Sequence, residues 1–343
     1  MSRSLFVVVG CVALLACPGA QVDCRVGADC ASGVCLRDGT CGPVSDSGVG
    51  GGTGEDGGLG GGAGGGSGTG GGSSTGGGTG GGGSVDGGTG GGGMSAGCLP
   101  NNDGVIERDE VFFQPGLRAT FKISGPASFN TAGTAAADGG REWDFTAALA
   151  GDTSRLVETR ALTGEWYESN FPDAGYVTEL GQGSTLLGVF SATNDALYLQ
   201  GVVSPTDSST GTELHYAPWV KVLQFPLQSG ISWGTDSSVS GKYQGYTIGL
   251  TLPLQREVYT SSVDRSGEAL TPYANTRFQT LRVRTVMDRY FRANTFAQWF
   301  LTTTIRSFNW NAECFGTVAT LTSTNNESST EFTDAGEVRR LSN

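Results

Sequence analysis

The clearest pattern in this chain is an alternation of apolar and polar residues from residue 98 onward. The first such stretch runs through Leu117, Arg118, Ala119, Thr120, Phe121, Lys122 and Ile123. Successive side chains of a β-strand point to opposite faces. The stretch therefore predicts a strand with one apolar and one polar face.

Strand signals continue to the end of the chain. The stretches 186–190 and 197–203 flank the turn-forming run Thr193-Asn194-Asp195, which predicts a hairpin. Further strands are predicted at 257–263, 278–287, 299–307 and 317–321. No window repeats apolar residues at the i, i+3, i+4, i+7 spacing over three turns. We expect a mainly β domain over 98–343, an antiparallel curved sheet or half-barrel or a sandwich, with any helices short.

Composition places the core in the same region. All six tryptophans follow residue 98: Trp143, Trp166, Trp219, Trp233, Trp299 and Trp310. More than half of the 59 glycines lie between residues 42 and 97. Glycine maximises the entropy that ordering would remove, so we expect 43–97 to be a disordered, low-complexity Gly-rich linker. A flexible chain of about 55 residues has a typical end-to-end distance of roughly 40 Å.

The N-terminal residues 1–16 predict a signal peptide. Arg3 precedes about twelve apolar residues, too few for a membrane-spanning helix. The run Leu14-Leu15-Ala16-Cys17 resembles the bacterial lipobox, which implies a diacylated Cys17 as the new N-terminus. Gly10-Cys11 also fits, but it leaves a very short apolar segment. The alternative is a plain cleaved signal peptide with Cys17 in a disulfide.

The residue after the lipobox cysteine bears on localisation. It is Pro18 rather than the aspartate that retains lipoproteins in the inner membrane of enteric bacteria. By this resemblance the exported, lipid-anchored chain is expected in the outer membrane of the cell envelope.

Four closely spaced cysteines predict a small disulfide-rich module within residues 17–42. They are Cys24, Cys30, Cys35 and Cys41. An even set of cysteines in an exported chain indicates disulfides, and the absence of a Cys-x-x-Cys pair speaks against a metal. Three pairings are open, of which we favour the crossed Cys24–Cys35 with Cys30–Cys41. The segment 22–42 resembles short "DC-x-SG-x-C" segments of secreted and lipid-anchored proteins from myxobacteria-like species.

Charge excludes one class of partner. The formal net charge is −12, with 21 basic and 33 acidic residues. A nucleic-acid surface needs clustered Lys and Arg, so we expect none.

Parts of the β region resemble a widespread group of bacterial lipoprotein domains. They read LQFPLQSGISW at 223–233, VDRSGEALTPY at 263–273, FQTLRVR at 278–284 and CFGTVA at 314–319. Asn275 stands near the place where that group has a glycine turn. The resemblance implies a curved antiparallel sheet, similar in outline to periplasmic lipid-carrier half-barrels, and no agreed activity.

Cys98 and Cys314 remain unpaired once the four cysteines of the small module are paired. We predict a disulfide between them that would close almost the entire domain.

Residues 99–110 resemble an EF-hand loop. Asn101, Asp103, Glu107 and Glu110 would supply oxygen ligands, and Gly104 the tight turn. Leu99 stands at the first position, where a carboxylate is required, and flanking helices are not evident. We therefore predict a turn entering the first strand and no metal, with calcium as the alternative; no other cofactor is expected.

No catalytic residue is predicted. The only histidine is His215, and no Gly-x-Ser-x-Gly elbow accompanies a serine. Glu165 beside Trp166 and Tyr167 is one place for a sugar-hydrolysing carboxylate, but a surface Glu next to core aromatics explains it equally.

Three functional hypotheses follow from the sequence. The first is a lipid-anchored, non-enzymatic β domain that binds an envelope glycan, lipid or protein. The second is a structural surface spacer without a specific ligand, and the third is an envelope hydrolase.

Overall fold

The structure, a computed structural model, describes Cys98 and residues 100–136, 139–181 and 185–343. The predicted signal peptide, Cys17, the cysteine module and the Gly-rich linker lie outside the described residues. No helix within these ranges is long and apolar enough to cross a membrane.

The described chain is built from strands, with only two 3-10 helices, Arg108–Glu110 and Glu168–Asn170. The strands are β1 (Val105–Ile106), β2 (Arg118–Ser124), β3 (Ala127–Ser128), β4 (Thr134–Ala135), β5 (Arg141–Asp144), β6 (Thr153–Glu158), β7 (Tyr176–Glu179), β8 (Leu187–Ala192), β9 (Ala196–Val203), β10 (Glu213–Gln224), β11 (Leu227–Gln228), β12 (Ser232–Tyr243), β13 (Tyr246–Thr247), β14 (Leu254–Leu270), β15 (Arg277–Arg292), β16 (Phe300–Ala312), β17 (Gly316–Ser323) and β18 (Asp334–Ser342).

Sixteen of these strands form one sheet that is antiparallel except where β5 runs parallel to β14. Its main path is β6-β2-β18-β17-β16-β15-β14-β12-β10-β9-β8-β7. The two ends of this path meet just after β6, where Arg160 and Val177 exchange backbone hydrogen bonds of 2.8 and 2.9 Å. The result is a nearly closed half-barrel, which confirms the predicted fold class.

The predicted hairpin is present as β8 and β9. Strand β2 also forms where alternation predicts it, but its two faces are not simply apolar and polar. Thr120 is 6% exposed and Ser124 is fully buried, because β2 lies between β18 and β6 inside the sheet.

The long hairpin of β14 and β15 is buried on opposite faces at its two halves. Val263 pairs with Val283 and faces the core formed with β8, β9, β10 and β12. Ala269 pairs with Phe278 and faces a second core formed with β16, β17 and β18. One sheet therefore supports two apolar cores.

The second core is centred on two fully buried tryptophans. The ring centroids of Trp143 and Trp310 are 5.5 Å apart at an interplanar angle of 70°. The indole N–H of Trp143 donates to the carbonyl of Thr131 over 2.8 Å, so this ring brings no unsatisfied donor into the core.

The bridge expected between Cys98 and Cys314 is present, with 5.5 Å between the Cα atoms. Next to it, the backbone N–H of Cys314 donates to the carbonyl of Glu110 over 2.7 Å. The start of the domain is thereby fixed to the turn between β16 and β17. A bridge with a sequence separation of 216 residues contributes about 4–5 kcal/mol on the chain-entropy account.

Candidate functional site

Exposed apolar side chains gather at one end of the sheet. Ten large hydrophobic side chains are exposed among the described residues, and six of them form a group that we call the apolar tip. Its members are Tyr243, Tyr246, Leu250, Phe296, Phe300 and Leu301. A soluble surface tolerates single exposed apolar residues, but a group of this size indicates a binding surface.

The strand register brings the tip residues together. Tyr243 pairs with Tyr246 across the β12–β13 turn. Leu254, the first residue of β14, pairs with Arg292, the last residue of β15. Phe291 pairs with Phe300, so the loops that carry Leu250 and Phe296 leave the sheet at the same end.

The tip extends beyond the neighbouring strand. β17 pairs with β16 only from Ser307 to Ala312, so Phe300–Thr303 lack a strand partner on that side in the described chain. The loop at Asn326 reaches no further along β16 than Thr304, where it exchanges hydrogen bonds of 2.7 and 3.1 Å. The beginning of β16, Phe300–Thr303, is therefore available to contact another surface.

Two arginines stack on aromatic rings at the ends of β14, β15 and β16 that carry the tip. The guanidinium of Arg292 is 4.4 Å from the ring centroid of Trp299. Arg256 lies 5.6 Å from the ring of Tyr290 and 6.0 Å from that of Trp299. Arg256 also forms an ion pair with Asp236, and this contact lowers the pKa of that carboxyl.

The tip is free of acidic residues although the chain is acidic. The segments 237–256 and 289–312 contain no Asp or Glu, whereas they carry five basic residues. These are Lys242, Arg256, Arg289, Arg292 and Arg306. Arg256 and Arg289 pair with Asp236 and Glu257, which leaves Lys242, Arg292 and Arg306 as the basic residues outside these ion pairs.

A buried polar cluster on the other face of the same strands holds the base of the tip. Glu257 is 1% exposed and accepts hydrogen bonds from Arg289 (2.8 Å), Gln255 (2.7 Å) and the hydroxyl of Tyr259 (2.6 Å). Burial raises the pKa of Tyr259, and the neighbouring Tyr216 and Glu257 raise it further. The cluster joins β14 to β15 at the base of the tip.

An open depression of about 610 Å³ lies beside the tip. It is lined by Ser209, Thr210, Gln244, Gly245 and Tyr246.

The structure brings the four residues of the calcium alternative into one turn. Asn101 Nδ2 donates to Glu110 over 2.9 Å, and Glu110 also accepts from the backbone N–H of Glu107 over 2.8 Å. Asp103 accepts from the N–H of Val105 over 2.8 Å. This turn contains the short β1, whereas the first strand predicted from alternation corresponds to β2.

The same turn is close to a further carboxylate. The backbone N–H groups of Asn101 and Asn102 donate to the buried Glu313 over 2.6 and 3.0 Å. The pKa of Glu110 is raised, because burial and the charge of Glu313 together outweigh the lowering effect of the hydrogen bond from Glu107. Within the described ranges, no group of three or more His, Cys, Asp or Glu side chains is placed to hold a metal ion. Calcium binding at this turn is the alternative to the predicted metal-free turn, and it stays an untested alternative.

His215 and Glu165 are placed by packing contacts. His215 stacks on Phe171 with 4.6 Å between ring centroids, and its Nε2 is 3.0 Å from Glu213. Beside Glu165, Tyr167 is fully buried and Trp166 donates to the carbonyl of Ser204 over 3.1 Å. The aromatic neighbours of Glu165 therefore belong to the core.

Sequence reasoning missed the apolar tip. The run Phe296 to Leu301 reads like part of a core strand, and its exposure depends on where the neighbouring strands end. The one signal in the sequence is the absence of acidic residues from 237–256 and 289–312. No family model, curated protein or solved structure matches this chain.

Proposed function

We propose that this chain is an exported protein held in the cell envelope by a lipid on Cys17, and that its β domain binds a surface through the apolar tip. The observation that carries the proposal is the gathering of six exposed apolar side chains at one end of the sheet. A spacer without a ligand has no need of such a surface, which is a liability for solubility.

The anchor is supported by the sequence alone, and one contact in the structure is consistent with export. The leader 1–16, the lipobox ending at Cys17 and the Gly-rich residues 43–97 together describe a tethered lipoprotein. The Cys98–Cys314 bridge is of the kind that persists in an oxidising compartment. With Pro18 after the lipidated cysteine, the outer membrane is the proposed location.

The anchor is tested on the native protein by mass spectrometry of its N-terminal peptide. The expected result is diacylglyceryl on Cys17. In parallel, membranes are washed with high salt and alkaline carbonate, which removes proteins held only by surface contacts. The parent chain should stay with the membranes, and Cys17→Ser should be released.

Cys11→Ser is the matched control, because Cys11 lies in the competing lipobox-like run. This variant should remain anchored like the parent. A mature chain that begins at Gln21 without lipid, or a Cys17→Ser chain that resists the wash, overturns the anchor.

A further inference from the structure

We infer that the apolar tip inserts into the surface of a lipid bilayer that carries anionic phospholipid headgroups. The inference rests on the proposed function only for bringing the domain near a membrane. It concerns side chains that are described in the structure and that are far from the predicted anchor in the sequence.

The most exposed side chains of the tip are purely apolar. Phe296 is 95% exposed and Leu250 is 82% exposed. Neither side chain has a hydrogen-bonding group, so neither can recognise the hydroxyls of a glycan. Both can leave water by entering the boundary between headgroups and acyl chains, and the free energy gained is proportional to the area buried.

The residues behind these side chains suit the headgroup layer. Trp and Tyr prefer the membrane–water interface, and the Trp299 and Tyr290 rings lie directly behind the tip. Both arginines stack on these rings, and Arg256 is already paired with Asp236. The charge of Arg292 therefore stands where a phosphate group would lie once Phe296 and Leu250 are inserted. Arginine binds phosphate well because its planar donors match two oxygens at once.

Charge complementarity selects an anionic surface. A protein with a net charge of −12 is repelled by an anionic bilayer unless it presents a local positive region. Lys242, Arg292 and Arg306 provide that region, since Arg256 and Arg289 are already paired with Asp236 and Glu257. Charges further away than the screening length of about 8–10 Å contribute little at physiological salt.

The position of the tip is compatible with the membrane that would hold the anchor. The thirteen residues of β16 separate Phe300 from the Cys314 turn by about 40 Å. The predicted linker of about 55 residues can span up to roughly 180 Å when extended. The domain can therefore turn its tip toward the same bilayer, even though the chain enters at the opposite end.

The test uses the full chain carrying Cys17→Ser, so that no lipid contributes to binding. Its flotation is measured with vesicles of phosphatidylcholine mixed with phosphatidylglycerol, and with vesicles of phosphatidylcholine alone. We expect binding to the mixed vesicles that weakens as salt is raised. The added double substitution Phe296→Ser with Leu250→Ser should weaken it by about a hundredfold, since two apolar side chains no longer insert.

Arg292→Gln separates the charge contribution from the apolar one. It should reduce binding to the mixed vesicles while leaving the weaker binding to phosphatidylcholine unchanged. Leu156→Ser is the matched control, because Leu156 is an exposed leucine on the edge strand β6, outside the tip. This control should float like the parent.

Absence of vesicle binding, or equal binding by the double variant, overturns the inference. A parent chain that dimerises in solution, with dimers lost in the double variant and no vesicle binding, would make a second copy the occupant of the tip. None of these results bears on the lipid at Cys17, which the mass spectrum decides separately.

Discussion

Arg282 lies with its guanidinium carbon 4.2 Å from the centre of the Phe308 ring, and both side chains are fully buried in the second core. The charge is balanced by Asp264 and Glu331, which accept hydrogen bonds from Arg282 of 2.7–3.1 Å. The guanidinium also donates to the carbonyl of Thr131 over 2.5 Å. One arginine thus joins β15 to two loops and an aromatic core.

The substitution Arg282→Met should destabilise the domain by about 3 kcal/mol, because Asp264 and Glu331 lose their fully buried partner and keep only the more exposed Arg284 and Arg265. The free energy of unfolding is measured by urea denaturation. Arg277→Met is the control, since the exposed Arg277 pairs with Glu142 and Glu268 near the surface and its loss should be hard to detect. Equal effects of the two substitutions would contradict this assignment.

The same cluster predicts how stability depends on pH. Burial alone raises the pKa of Glu331, but the hydrogen bond and charge of Arg282, together with Arg265, outweigh burial and lower it. A carboxyl whose pKa is lower in the folded state stabilises the fold above its unfolded pKa, about 4.3. That stability is lost as the pH falls through the folded value.

Glu331→Gln should therefore lower the free energy of unfolding at neutral pH and make its decline below about pH 4.3 shallower. Urea denaturation at a series of pH values checks this. Glu158→Gln, on the exposed face of β6, controls for the loss of one carboxylate. An unchanged acid slope in the Glu331 variant would show that its pairing does not persist in solution.

Two glycines should respond to alanine with opposite signs. A Cβ at Gly201 would overlap the carbonyl oxygen of Leu214 and the ring of Phe171, so Gly201→Ala should destabilise by about 1–3 kcal/mol. At Gly125 a Cβ would meet no atom within 4 Å, and Gly125→Ala should be neutral or stabilising by about 0.4–1 kcal/mol. Thermal and urea unfolding of both variants, compared with the parent, distinguish these outcomes.

Local chemistry made part of the fold predictable. The turn between β8 and β9 is closed by its own side chains: the Thr193 hydroxyl donates to Asp195 over 2.6 Å and accepts from the N–H of Ala196 over 3.2 Å. These contacts span three residues, so the sequence carries them in full. The alternation of apolar and polar residues is also a local signal, and it predicted β14 and β15. Both strands are longer than predicted, at Leu254–Leu270 and Arg277–Arg292.

Other features of the fold depend on residues that are far apart in the sequence. Arg282 looks like a surface residue of a strand, and it is buried only because Glu331 approaches from 49 residues away. The β14–β15 turn has Ala274 and Asn275 at φ values of 47° and 52°, where a glycine would ordinarily be expected. The exposure of the apolar tip could not be predicted, because no local pattern indicates where β17 ends beside β16.

The Cys98–Cys314 bridge decides how the domain responds to being pulled. Tension on the chain preceding Cys98 passes through the sulfur atoms into the turn between β16 and β17, and the segment leading to β2 is bypassed. Near this turn both strands have hydrogen-bonded neighbours on both sides, so the tension is shared by several ladders of the sheet. If the bridge is reduced, the same tension acts on the short β1 and then on β2, where backbone hydrogen bonds can break one at a time.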